Sequence, residues 1–119
     1  MLSNKELNFL NIARLLASHS EEKMKHGAVV VKSGRVVGTG FNKFKNHPTI
    51  IQTELIKSHC SRHAEQVAIH QAGRNAKGAI IYVARVSKKG EDRNSRPCNL
   101  CYSLIKKVGI KQVIYTMEA

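Results

Sequence analysis

No stretch of this sequence approaches the roughly 20 consecutive apolar residues needed to cross a bilayer. The opening run Met1-Leu2-Ser3-Asn4-Lys5-Glu6 also lacks the basic-then-apolar order of a secretory leader. Both absences lead us to expect an intracellular, cytoplasmic protein with no membrane partner. Cysteine is scarce: there are three, Cys60, Cys98 and Cys101, the last two spaced C-x-x-C. That pattern suits a metal site in a reducing compartment better than a disulfide framework. Acidic residues are the third shortage. Eight Asp and Glu stand against 20 Lys and Arg, a formal net charge of +12, which attracts phosphate-bearing partners, nucleic acid among them. The basic residues are scattered, so a solvated, lysine-rich face is the competing reading. Lys43, Lys45, Arg62, Arg93 and Arg96 nevertheless fall in segments flanking the motifs described below. With 119 residues, 42% of them apolar, the chain has material for a single core, and residues 1–119 read as one domain.

Local signals then set out the elements. Ser3-Asn4-Lys5-Glu6 is a capping box, and Leu7, Leu10, Ile12, Ala13, Leu16 and Ala17 recur at helical spacing, which predicts a helix from residue 4 to about 18. Gly27 to Lys32, a Ser33-Gly34 turn and Arg35 to Phe41 read as a β-hairpin, and the near-continuous apolar run in its first strand implies burial on both faces. Pro48 to Ile56 is compatible with a short helix inside the long connection from Asn42 to Cys60. A second helix carries His63, Glu65, Val67, Ala68, Ile69 and Ala72 and ends at Gly73, with Ser58 or Ser61 as its cap. Ala79 to Ala84 is a strand, Ser87 to Arg96 a mobile polar loop, 97–108 a helix opened by Pro97, and Ile110 to Thr116 the last strand.

The chemistry concentrates in His63-Ala64-Glu65 and Pro97-Cys98-Asn99-Leu100-Cys101. One histidine and two cysteines can supply three ligands to a Zn²⁺ and leave its fourth tetrahedral position for water, which is the layout of a catalytic site. Cys98 and Cys101, three residues apart at the start of a helix, present their sulfurs on one side. Glu65 adds a carboxylate able to take a proton from water and pass it on, a group a structural zinc site does not need. Cys60 with His63, Cys98 and Cys101 could instead form a closed four-ligand structural site, a reading that leaves Glu65 and Pro97 without a purpose. The other histidines read as surface or satisfied residues, with only His47 and His59 in segments that approach the site. Because both motifs begin helices, their N-termini favour thiolate and a negative oxygen between them, and the backbone N–H groups of Ala64 and Cys98 are candidate donors to a base or oxyanion.

H-A-E followed by P-C-x-x-C resembles the signature of the zinc-dependent cytidine deaminase superfamily. The resemblance extends through the order of strands and helices from Gly27 to Met117. Cys98 to Cys101 running into Ile105, Gly109-Ile110-Lys111 and Val113-Ile114-Tyr115 is most similar to deoxycytidylate deaminases, with tRNA adenosine deaminases next. The loop before Pro97 is longer than in the deoxycytidylate branch. The resemblance implies a three-layer α/β fold, a mixed sheet with helices on both faces. Four strands are visible, and the fifth that relatives usually carry is apparently missing. It further implies His63, Cys98 and Cys101 as ligands to one catalytic Zn²⁺ and Glu65 as the proton-moving residue. Asn42, which ends the second strand, would contact the sugar. The expected reaction converts cytosine to uracil in a nucleoside or nucleotide, in a homo-oligomer. Two alternatives stand beside it: deamination of cytosine or adenine within single-stranded DNA or RNA, and a non-catalytic zinc-containing module that binds nucleic acid.

Overall fold

A computed structural model describes residues 2–21, 24–44 and 61–117. Helix α1 spans Asn4–Ser18, as its capping box predicts: the Glu6 N–H donates to Ser3 Oγ at 3.1 Å and the Ser3 N–H to Glu6 Oε1 at 2.9 Å. Its buried positions are Leu10, Ala13 and Ala17. The apolar stripe is narrower than the sequence suggests, since Leu7 and Ile12 are exposed.

Strands β1 (Lys25–Lys32) and β2 (Arg35–Phe41) form the expected antiparallel hairpin, with β1 starting two residues before Gly27. The turn residues Ser33 and Gly34 both have positive φ, 53° and 76°, the arrangement whose twist matches that of the flanking strands. Residues 27–31 of β1 are all buried, so this strand lies covered on both faces. Two-residue strands β3 (Lys43–Phe44) and β4 (Ser61–Arg62) then pair antiparallel. The helix expected around Pro48 lies outside the described residues.

Helix α2 runs Ala64–Ala72, with His63 itself as its N-cap. This corrects the expectation that Ser58 or Ser61 caps it: Ser61 is paired in β4 with Phe44, and Ser58 is not among the described residues. A short 3₁₀ turn (Gly73–Ala76) leads to β5 (Ile80–Val86), then β6 (Asp92–Arg93), α3 (Asn99–Lys107) and β7 (Gln112–Tyr115). Helix α3 begins two residues later than expected, because Cys98 takes the extended N-cap conformation and Pro97 precedes it.

The sheet is mixed. β1 lies between β2 and β5, antiparallel to both, and β7 pairs parallel with the first part of β5. The four strands expected from sequence are joined by a fifth, β6, which pairs antiparallel with Arg85 and Val86 at the far end of β5. The segment expected to be a mobile loop is therefore tied down. Asp92 receives both Nε and Nη2 of Arg14 on α1 at 2.9 Å, and buried Ser95 and Thr116 bond to each other and to the β5 backbone.

Side chains alternate across this sheet. Val29, Val31, Tyr82 and Ala84 pack with Leu10 and Ala13 of α1. Ala28, Val30, Ile81 and Val83 pack on the other face with Ala64, Ala68 and Ile69 of α2 and Ile105 of α3. Helices thus cover both faces. α2 lies so close to the sheet that a Cβ on Gly38 or Gly40 would stand 2.1 Å from the Ala68 carbonyl oxygen or 2.6 Å from that of Ala64. Among the described residues, no helix is long and apolar enough to cross a membrane.

Candidate active site

The N-termini of α2 and α3 converge on one point. His63 and Cys98 hold equivalent N-cap positions with extended backbones, φ −69°, ψ 140° and φ −68°, ψ 169°. Each carbonyl accepts the first helical hydrogen bond, from Val67 N at 3.3 Å and Tyr102 N at 2.9 Å. The His63 N–H donates to Gln66 Oε1 at 3.2 Å, which fixes the chain at the point where the imidazole leaves it. Cys101 sits one turn into α3, beneath Cys98.

His63 Nδ1 lies 3.7 Å from Cys98 Sγ and 3.3 Å from Cys101 Sγ, and the three donor atoms are all within 4.8 Å of one another. A tetrahedral zinc with ordinary N and S bond lengths requires ligand–ligand separations of about 3.6–3.8 Å, so the constellation fits that ion with little adjustment. The fit has an electrostatic side too. Burial, followed by the nearby Glu65 and Cys98, pushes the Cys101 thiol well above its ordinary pKa. A divalent cation at this point would reverse that preference and stabilise the thiolate.

Glu65, at the second position of α2, is 4% exposed. Burial raises its pKa, opposed by hydrogen bonds from its own backbone and from Cys101. It lines a cleft of about 420 Å³ together with His63, Ala64, Cys98 and Asn42. The two-residue spacing of His63 and Glu65 serves one site because the end of α2, and not its side, faces the cleft.

Asn42 reaches the cleft, but its side chain also braces the fold. Oδ1 accepts from His26 N at 2.8 Å and Nδ2 donates to the Met24 carbonyl at 2.5 Å. Lys45, His47, His59 and Cys60, and the side chains of Lys43, Phe44 and Arg62, lie outside what is described. His26 corrects the expectation that only His47 and His59 approach the site: it lines the cleft, as do Arg85, Asn94 and Arg96. Burial, then Arg85, then His63 lower the His26 pKa to about 4, against a bond to the Met24 backbone that raises it. Its proximity arises from strand register, which no local motif announces.

This fold and donor set define a zinc-binding α/β deaminase-type domain. The family model for the cytidine and deoxycytidylate deaminase zinc-binding region matches residues 3–117. The chain belongs to that family, an enzyme family of hydrolytic deaminases, and its cofactor is zinc. It is 33% identical to the deoxycytidylate deaminase of Mycobacterium phage D29 over 93% of each chain. Identity to the riboflavin biosynthesis protein RibD of Aquifex aeolicus is 30% over 96% of this chain, which spans only 28% of that relative. Among solved structures, the apo dCMP deaminase of cyanophage S-TIM5 superposes with a TM-score of 0.74, covering 100% of this chain and 87% of that one at 24% identity, a likeness of fold.

Proposed function

We propose that this domain deaminates cytosine to uracil in a nucleoside or nucleotide by zinc-dependent hydrolysis. The observation that carries the reading is convergence: a His/Cys/Cys donor set and a buried carboxylate meet at one cleft, at the ends of two helices. His63, Cys98 and Cys101 would hold one zinc ion, which when bound supplies Lewis-acid activation of water. Water adds to the carbon bearing the exocyclic amine, the carbon–nitrogen bond breaks, and ammonia leaves. Glu65 takes the proton released by water and gives it to the ring nitrogen, then takes the proton of the new hydroxyl as that oxygen becomes the carbonyl and delivers it to the departing amine. A carboxyl whose pKa is raised by burial is suited to both tasks. The Ala64 N–H, at the positive end of α2, would polarise the base or oxyanion, and a remaining Asn42 N–H would meet the sugar.

That the phage relative is a deoxycytidylate deaminase supports a nucleotide substrate. The charge of +12 supports a second reading, action on a base within single-stranded DNA or RNA. Ammonia release from cytidine, deoxycytidine, their monophosphates and single-stranded oligonucleotides decides between them. Turnover confined to oligonucleotides would overturn the first reading, and no turnover on any substrate would favour a binding module. We also read the protein as a cytoplasmic homo-oligomer joined beside α2 and α3, where Leu100 is 43% exposed. A monomeric mass by light scattering at high micromolar concentration would contradict that assembly.

A further inference from the structure

A second cavity, of about 180 Å³, lies away from the cleft on the face of the sheet that α1 covers. Strands β1 and β5 run antiparallel between the two. His26 and Arg85 line the cleft at one end of this pair, and Val31, Ile80 and Tyr82 line the second cavity at the other. The span from His26 to Val31 is roughly 16 Å of strand. Phe9 of α1 completes an apolar wall with Val31 and Ile80, while the exposed Lys5 and Lys111 stand at the mouth. Lys5 Nζ reaches over the hairpin turn, 3.5 Å from where a Cβ on Gly34 would lie. The Lys111 N–H donates to the Ala79 carbonyl at 2.9 Å, which fixes the chain on the opposite side.

One group in this cavity is out of keeping with a core. Tyr82 is 2% exposed and packs its ring against Phe9, with centroids 5.4 Å apart. Buried tyrosine hydroxyls ordinarily find a partner, because a buried polar group left unsatisfied is costly. Among the described residues the Tyr82 hydroxyl makes no hydrogen bond, whereas every fully enclosed side-chain nitrogen or oxygen does have one. The hydroxyl is therefore not sealed in, and the surface it keeps opens on the cavity that Tyr82 lines. Burial, followed by the charge of Glu6, raises its pKa, so it remains a neutral phenol with a proton to donate.

The surrounding charges define what can accept that proton. Lys5 and Lys111 set two ammonium groups against the one carboxylate of Glu6, which already accepts from the Ser3 N–H. Among the described residues no ion pair engages either lysine. The balance is a single positive charge, which a monoanion neutralises and a dianionic phosphate exceeds. The apolar wall calls for an apolar body, and a cavity of about 150 Å³ is enough for a benzene ring.

We infer that this cavity binds a small apolar monocarboxylate of about ten non-hydrogen atoms, whose carboxylate accepts from the Tyr82 hydroxyl and is neutralised by Lys5 and Lys111. Its ring or branched chain lies against Phe9, Val31 and Ile80. The site is independent of the chemistry at the cleft.

The test titrates benzoate and isocaproate into the isotope-labelled, zinc-loaded chain and follows the backbone amides by NMR. At least one acid should bind saturably with a Kd of about 1 mM or below, a modest affinity for a ligand of this size. It should move the amides of Gly34 and Ile80 and leave those of Glu65 and Cys98. Tyr82→Phe keeps the ring and removes only the hydroxyl, and should weaken binding by about 10- to 100-fold, the worth of a hydrogen bond to a charged group. Lys5→Gln and Lys111→Gln should each weaken it by about 2- to 5-fold, as expected of an exposed charge pair. Lys106→Gln, on the exposed side of α3, should leave it alone. If neither acid binds, the cavity takes water only and the inference is overturned. Unchanged affinity in Tyr82→Phe overturns it as well, as does equal binding of benzyl alcohol, which lacks the charge, or of inorganic phosphate, which lacks the apolar body. Shifts centred on Glu65 and Cys98 would put the acid in the cleft and also overturn it.

Discussion

His63 and Cys101 are 38 residues apart in the chain, yet His63 Nδ1 and Cys101 Sγ lie 3.3 Å from each other. The contact is made by two helix starts facing one another across the end of the sheet. His63 enters it from an N-cap, and Cys101 from one turn inside α3. Three donors and the adjacent Glu65 are therefore fixed by backbone that is already ordered by helix formation.

Replacing His63 or Cys101 by Ala should remove zinc and lower Tm together, because metal affinity in such a site is also folding free energy. Glu65→Gln should keep stoichiometric zinc and lose a factor of at least about 10² to 10⁴ in turnover, the usual worth of one positioned proton carrier. Cys60→Ala should keep zinc as well. Metal analysis beside ammonia release separates the three cases, and loss of zinc in Cys60→Ala would restore the closed four-ligand site.

The parts of this arrangement that could be read from sequence are those whose causes are local. The α1 boundaries follow from Ser3 and Glu6, the hairpin from Ser33-Gly34 between apolar runs, and the donor set from two short motifs. What could not be read depends on pairing across the sheet. His26 enters the cleft because β1 starts at Lys25 and places it opposite Arg85. The polar run before Pro97 looks like a loop until Asp92 finds Arg14 and Ser95 finds Thr116, partners 78 and 21 residues away. Gln66, which bonds the His63 backbone, resembles any surface glutamine in a helical run.

Thr116 is the residue through which that polar segment is held. Its hydroxyl donates to the Arg93 carbonyl at 2.7 Å and accepts from the Arg85 N–H at 3.1 Å, while its backbone N–H donates to Ser95 Oγ at 2.7 Å. Thr116→Val keeps the shape and deletes the hydroxyl, which leaves the part-buried Arg93 carbonyl and Arg85 amide short of a partner. We expect a loss of about 1–3 kcal/mol in urea unfolding, with zinc retained. A change of no more than a few tenths of a kcal/mol would mean water replaces the hydroxyl.

Gly38 and Gly40 set the distance between α2 and the sheet. Gly38→Ala or Gly40→Ala would drive a methyl group into the α2 backbone, and displacing the helix would move His63 and Glu65 with it. Overpacking of this kind typically destabilises by about 1–3 kcal/mol. Turnover should fall further than stability alone explains, because misplacing a catalytic group by about 1 Å can lower the rate about 10²-fold. An alanine variant as stable and as active as the parent would show that α2 can lift without disturbing the site.

His26 gives the fold a dependence on pH whose sign follows from its surroundings. Burial first, and then the positive Arg85 and the neighbouring His63, lower its pKa from 6.5 to about 4. Between those values the unfolded chain binds a proton that the folded chain refuses, so stability rises with pH through this interval. The contribution is fully present above pH 6.5 and is lost progressively as pH falls toward 4. Its full size is up to about 3 kcal/mol, from 1.36 kcal/mol per unit of pKa. His26→Gln should remove this component, so the stability difference between parent and variant, measured by urea unfolding from pH 7 to 4, should shift by that amount in favour of the variant at the acid end. Taking the difference leaves out metal release at low pH, which both proteins share. Parallel pH profiles would mean that His26 takes up its proton at the same pH in the folded protein as in the unfolded chain, so that burial and Arg85 do not hold the imidazole neutral.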